Sequence, residues 1–178
     1  MNFDGDLLDG VLLIESDIYN DHRGYFSVNF NRDEFNRLAG YNVDFIQDNE
    51  SVSKKNVIRG LHYQKNEFAQ AKLIRCVNGI IYDVIVDLRP HSKTYHKYMG
   101  VVLSQNKMLF IPRGFAHGFS VLSEYAHVSY KTDNFYNPDA DTGIKYDDGK
   151  LNIDWKINKG DEILSEKDLT LPYLDSTK

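Results

Sequence analysis

A single cysteine, Cys76, excludes an internal disulfide, and its place in the apolar run Leu73-Ile74-Arg75-Cys76-Val77 marks it as a small buried hydrophobe rather than a reactive thiol. No Lys/Arg run stands out, and 21 basic against 26 acidic side chains give a formal charge of −5, which excludes a broad nucleic-acid footprint. A small anionic ligand held by a few placed cations remains compatible with that balance. No apolar stretch approaches the roughly 18 residues of a membrane span, and Met1-Asn2-Phe3-Asp4-Gly5-Asp6 has no basic leader; a soluble, cytoplasmic protein with no membrane partner is expected. The chain has no Gly-rich phosphate loop, no Gly-x-Ser-x-Gly elbow, no internal repeat and no low-complexity tract. His22, His62, His91, His96, His117 and His127 are scattered without a His-x-His pair, so no metal site is expected.

What is abundant is aromatic and β-branched residues, in short runs separated by turn signals, the pattern of an antiparallel sandwich or barrel. At 178 residues the chain is the size of one domain, and a single unit over residues 1–178 is expected. Strands are predicted at residues 11–16, 24–29, 45–53, 72–77, 80–88, 97–103, 107–111, 118–122 and 126–132, with one short early helix at 32–38. So many short strands favour an all-β double-sheet jelly roll with short peripheral helices. Asn78-Gly79 predicts a type I′ hairpin between the strands that flank it. Within 80–88, Ile80, Tyr82, Val84, Val86 and Leu88 share one face, which reads as core, while Ile81, Asp83, Ile85 and Asp87 form a mixed face. From Phe135 onward Asn137-Pro138, Asp147-Asp148-Gly149 and charged loops predict excursions packed on the outside.

Arg59-Gly60-Leu61-His62-Tyr63-Gln64 sets a histidine between a cation and an amide in a segment otherwise built as a strand. His62 is the best base candidate, since imidazole titrates near neutral pH, and Asp168 is the carboxylate that could orient it. Tyr130, a phenol neutral at pH 7, is the natural acid partner; Lys72 could steady a developing oxyanion; Arg23, Arg59 and His117 suit a diphosphate. Taken singly, each has a plainer reading: a satisfied core histidine, a packed tyrosine, a solvated lysine, surface-paired arginines. Strict strand alternation puts Arg59 and His62 on opposite faces, so a shared site requires a bulge or bend at Gly60.

The order of these residues resembles the dTDP-4-dehydrorhamnose 3,5-epimerase family of cupin-type sugar-nucleotide epimerases. The resemblance runs from about residue 10 to residue 172 and rests on Asp21-His22-Arg23-Gly24-Tyr25-Phe26, Gln47-Asp48-Asn49, the Arg59 motif above, Ala69-Gln70-Ala71-Lys72-Leu73, Asp83-Val84-Ile85-Val86-Asp87-Leu88-Arg89, Ile111-Pro112-Arg113-Gly114-Phe115-Ala116-His117-Gly118-Phe119, Tyr130-Lys131, Asn134-Phe135-Tyr136-Asn137-Pro138, Ile153-Asp154-Trp155 and Leu164-Ser165-Glu166-Lys167-Asp168. It implies a cupin jelly roll that inverts C3 and C5 of a nucleotide-linked 4-keto-6-deoxy sugar without a cofactor. His62 with Asp168 would take the proton, Lys72 steady the enolate and Tyr130 return a proton. Arg23, Gln47, Asn49, Arg59 and His117 would hold diphosphate and sugar, Phe26 and Tyr136 stack on the base, and Asp48, Asp141 and Lys167 fall in the same substrate-binding set. A homodimer is implied, with N-terminal strands exchanged so that Arg23 and Phe26 reach the partner's site.

Two positions depart from the family pattern. Val28 stands where users of thymidine nucleotides commonly carry Glu, and Asp141 where Glu is frequent. Either another group reads the thymine or the nucleotide is CDP- or GDP-linked; inversion of C3 alone or C5 alone, a non-catalytic sugar-nucleotide-binding jelly roll, and a metal-dependent cupin enzyme are the other readings.

Overall fold

The computed structural model describes residues 3–4 and 8–176; the other terminal positions of the expected 1–178 unit lie outside the described residues. The strands in chain order are β1 (Phe3–Asp4), β2 (Leu12–Glu15), β3 (Tyr19–Asp21), β4 (Gly24–Phe26), β5 (Gln47–Lys54), β6 (Ile58–Gln64), β7 (Lys72–Asn78), β8 (Ile81–Asp87), β9 (Tyr98–Leu103), β10 (Lys107–Ile111), β11 (Phe115–Val121), β12 (Tyr125–Thr132) and β13 (Asp141–Gly143). Helix α1 (Arg32–Ala39) follows β4, and a short α2 (Glu166–Leu169) lies near the C-terminal end.

One sheet has the order β1-β9-β8-β11-β6-β13 and the other β2-β10-β7-β12-β5, both antiparallel throughout, the face-to-face arrangement of a cupin-like jelly roll. Between them lies a core of Ile74, Cys76, Ile81, Ile85, Met99, Leu109, Phe119 and Val128 with their neighbours. The C-terminal excursion packs on the outer face of the first sheet, where Ile144, Leu151, Trp155 and Leu174 cover Tyr82, Val84 and Val86. Helix α1 covers the second sheet. Asn31 caps it by accepting from the Asp33 and Glu34 amides, and Phe35 packs on Phe110 with ring centroids 5.0 Å apart.

The hairpin expected at Asn78-Gly79 does not form. β7 pairs with β10 and β12 in one sheet and β8 with β9 and β11 in the other, so this dipeptide carries the chain between sheets. Of the two residues Gly79 alone takes positive φ, at 89°, and a Cβ there would sit 2.2 Å from the Tyr125 carbonyl oxygen. The reason lies in β8, buried along its whole length, which needs apolar cover on both faces. Its mixed face proves to be the inner one: Ile81 and Ile85 join the inter-sheet core, and Asp83 turns toward His117.

Other boundaries moved for local reasons. The strand predicted at 118–122 begins at Phe115 because Phe115, Ala116 and His117 pair with Asp87, Val86 and Ile85. The strand predicted at 24–29 stops at Phe26 because it pairs only with β3, a ribbon whose six residues are all exposed.

Candidate active site

The two sheets diverge at one end into a cleft of two adjoining lobes, about 370 and 330 Å³, which share His62, Lys72, Tyr130 and Lys167 in their walls. β6 brings Arg59, His62 and Gln64 from the first sheet, and β11 brings His117. β5, β7 and β12 bring Gln47, Asn49, Lys72 and Tyr130 from the second. The bulge required at Gly60 is present. His117 pairs with His62 and Phe119 with Arg59, so three steps along β6 match two along β11. Gly60 takes φ 110°, and a Cβ on it would lie 2.6 Å from the His117 carbonyl oxygen. That extra residue is what allows Arg59 and His62 to face one cavity.

His62 Nε2 lies 2.6 Å from Asp168 Oδ1, and the carboxylate is buried. Ser165 Oγ donates to the other oxygen, Oδ2, at 2.7 Å. Burial raises the Asp168 carboxyl, but the hydrogen bonds from His62 and Ser165 outweigh it and hold the group below the usual carboxylate range. An ionised carboxylate only accepts, so Nε2 carries the proton of this pair and Nδ1 is the basic nitrogen of a neutral ring.

Opposite, burial pushes the Lys72 ammonium down to about 8 against the pull of Asp141 and Asp83. Burial also raises the Tyr130 phenol, opposed by Arg59, which keeps it neutral and able to donate at pH 7. Since His62 stands on one sheet and Tyr130 on the other, a molecule between them meets a base on one wall and an acid on the opposite wall.

Toward the mouth, Gln47 Nε2 donates to Asn49 Oδ1 at 2.7 Å, the Tyr136 hydroxyl donates to Asp141 Oδ2 at 2.9 Å, and Lys167 Nζ donates to the same carboxylate. Arg59 Nε donates to Ser53 Oγ at 2.9 Å. Arg59, Lys72 and Lys167 make the cleft cationic within a chain of net charge −5, which suits an anionic ligand.

Three of the expected residues lie elsewhere in the single chain. Arg23 and Phe26 sit on the exposed β3–β4 ribbon, where Arg23 pairs with Asp21 at 2.6 Å, and neither lines the cleft. Asp48 alternates to the outer face of β5 and pairs with Lys131 at 2.8 Å. Val28 lines a separate groove beside α1. Among the described residues no group of three or more His, Cys, Asp or Glu side chains is placed to hold a metal ion, and no helix is long and apolar enough to cross a membrane.

Two residues of the site were not singled out from the sequence. Asp83, 0 % exposed, lies 2.9 and 3.0 Å from His117 Nε2 through its two oxygens. Its signal was an ionisable residue in an otherwise apolar strand, a placement that demands a partner. Ser165 both caps α2 and donates to Asp168, legible as a serine three residues before the acid it supports.

Comparison with known proteins agrees with this geometry. The family model of dTDP-4-dehydrorhamnose 3,5-epimerase matches residues 6–176. The dTDP-4-dehydrorhamnose 3,5-epimerase of Escherichia coli K12 is 48% identical over 170 residues, covering 94% of this chain and 91% of the relative. The crystal structure of dTDP-4-dehydrorhamnose 3,5-epimerase from Elizabethkingia anophelis NUHP1 superposes with a TM-score of 0.91 at 46% identity, covering 99% of this chain and 98% of that one. That of dTDP-6-deoxy-D-glucose-3,5-epimerase from Legionella pneumophila Philadelphia 1, in complex with dTDP-4-keto-L-rhamnose, gives 0.92 at 39% identity over 99% and 94%. Matched almost from end to end in sequence and in fold, the chain belongs to the dTDP-4-dehydrorhamnose 3,5-epimerase family.

Proposed function

We propose that this protein is a cofactor-independent isomerase that inverts C3 and C5 of dTDP-4-dehydro-6-deoxy-D-glucose to give dTDP-4-dehydro-L-rhamnose, the precursor of dTDP-L-rhamnose for surface polysaccharide. The observation that carries the reading is the opposition of the His62–Asp168 pair on one sheet to Tyr130 on the other, with Lys72 lining the same cavity.

The C4 ketone acidifies the hydrogens on C3 and C5. His62 Nδ1 takes one proton, and the carbon–hydrogen electrons move through the new carbon–carbon double bond onto the C4 oxygen. Lys72 supplies positive charge for that oxygen, the type of stabilisation worth roughly 10²–10³ in rate at related sites. Collapse of the enolate takes a proton from Tyr130 on the opposite face and inverts the centre. Each inversion leaves one proton more on His62 and one fewer on Tyr130, and exchange with water resets the pair before the second carbon reacts.

Arg59, His117 and Lys167 hold the diphosphate in this scheme, Gln47 and Asn49 the sugar, and Tyr136 the base. Arg23 and Phe26 complete the site of a partner subunit in a homodimer. The exposure of Tyr19, Tyr25 and Phe26 along one ribbon supports burial of that ribbon against a second copy. The protein works as a single jelly-roll unit in the cytoplasm, and the base is thymine read by groups other than Val28.

Proton NMR of the protein with the dTDP-linked 4-keto sugar in deuterium oxide tests the reading. Loss of the C3 and C5 signals with formation of the L-sugar is expected. Loss of one signal only would make it a single-centre epimerase, and exchange of neither would overturn the assignment.

A further inference from the structure

Gln64 ends β6 two residues beyond His62 and is 6% exposed. Its Nε2 donates to the Phe68 carbonyl at 2.7 Å and the Phe135 carbonyl at 3.1 Å, while its Oε1 accepts from the Asn137 amide at 2.6 Å. Only one orientation of the amide meets two carbonyls with its two N–H groups and an N–H with its oxygen, so the network itself fixes which end is which. The two contacts on the far loop bracket Tyr136. The Tyr136 amide in turn donates to Gln47 Oε1 at 3.2 Å, and Gln70 Nε2 donates to the Asn134 carbonyl at 2.8 Å. A segment outside the sheets is thus held by side-chain amides where a strand would be held by a ladder, and it carries one wall of the cleft.

Building on the functional reading above, we infer that Gln64 is a positioning residue that sets where the nucleotide wall at Tyr136 stands relative to the base His62. The argument is one of rigidity and reach. A single short side chain joins the strand bearing His62 to the loop bearing Tyr136, so the separation between the reacting sugar and the nucleotide end is fixed before ligand arrives. A preset wall saves the ordering cost that a mobile aromatic imposes on binding. Both Gln64 donors are occupied, so its effect on the ligand passes through Tyr136 and not through contact. Nothing in it touches the His62–Asp168 pair, Lys72 or Tyr130, so it governs binding and leaves the proton transfers alone.

The test is Gln64→Met, which keeps length and volume but removes all three hydrogen bonds, made in the full chain and in a Tyr136→Ala background. The Kd for dTDP by calorimetry and the KM for the keto sugar should both rise roughly 10- to 100-fold, the scale of two or three lost hydrogen bonds, with kcat held within about 3-fold. In the Tyr136→Ala background the same change should add less than about 3-fold, because the wall it positions is already gone. Gln64→Asn, one methylene too short to span both loops, should act in the same direction and serves if the Met variant does not fold by circular dichroism. Unchanged KM and Kd, a full multiplicative effect on top of Tyr136→Ala, or a fall in kcat at constant KM would each overturn the inference. An unmodified protein that neither binds dTDP nor exchanges C3 and C5 would remove the functional reading instead, so the two failures are distinguishable.

Discussion

His62 and His117 face each other as partners across the β6–β11 ladder, and each brings its Nε2 to a buried carboxylate, Asp168 in one case and Asp83 in the other. The cleft therefore has two His–Asp pairs side by side, reached from opposite directions: Asp168 comes from the C-terminal helix and Asp83 from the neighbouring strand. Burial raises the Asp83 carboxyl while His117 and Lys72 oppose it, so its charge depends on both partners. Asp168→Asn should cost roughly 10²–10⁴ in kcat, because the base loses the anion that orients it. Asp83→Asn should act on His117 and hence chiefly on KM, by about 10-fold. Steady-state kinetics on the two variants separate the pairs; equal kcat losses would mean that both act in proton transfer.

Replacing Tyr130 by Phe removes the acid and leaves the base. Deprotonation should continue and His62 should return deuterium to the face it came from, giving exchange without inversion. NMR in deuterium oxide would show the C3 or C5 signal fading while the D-sugar persists. Normal formation of the L-sugar would exclude Tyr130 as the donor.

The alkaline limb of kcat should follow Lys72. Its ammonium is the form that steadies the enolate and it ionises at about 8, so activity should fall as pH rises through that value. The Tyr130 phenol, raised above its ordinary value, cannot account for that limb. Lys72→Met should lower kcat by about 10²-fold or more and abolish the limb. A pH profile from 6 to 10 for both proteins checks this, and an alkaline limb retained in the variant would assign it elsewhere.

Far from the chemistry, Asp87 is wholly buried and accepts from the Arg89 guanidinium and backbone amide, from Ser92 Oγ and from Thr94 Oγ1. Burial raises its carboxyl, but these donors prevail and hold it far below the usual carboxylate range. A depressed carboxyl contributes stability that is complete above its unfolded value, near 3.9, and is lost as pH falls toward the folded value. Asp87→Asn should therefore cost about 3–5 kcal/mol of unfolding free energy at neutral pH, measured by urea titration, and flatten the loss between pH 4 and pH 2. Equal stability of both proteins at pH 7 would mean that the neighbouring donors find other acceptors.

The sheet strands, the early helix and the outward-packed C-terminal part were legible because each is a local pattern of alternation or turn residues. So was the bulge at Gly60, forced by asking Arg59 and His62 to share a face. The crossing at Asn78-Gly79 was not legible, since the dipeptide fits a hairpin and only the need to cover both faces of β8 sends the chain to the other sheet. Asp168 was recoverable as a carboxylate for His62 only through the resemblance, because the 106 residues between them leave no spacing signal. Asp83 had the strongest physical signal of any unassigned residue, a charge with apolar neighbours, and its partner lay on another strand. Arg23, Phe26 and Asp48 show the converse: a motif match places a residue in a family's site, whereas one chain's geometry leaves all three outside the cleft.

The crossing between β7 and β8 also has a kinetic consequence. Because successive strands go to different sheets, the ladders that build the cleft join distant parts of the chain: β5 to β12, β6 to β11, β2 to β10. Loop closure on that scale must precede the contacts that reward it, which places folding in the slow, millisecond-to-second range of high contact order. No segment released early from a ribosome could assemble the His62–Asp168 pair, so proton-transfer competence should emerge in the last step of folding, together with the docking of α2.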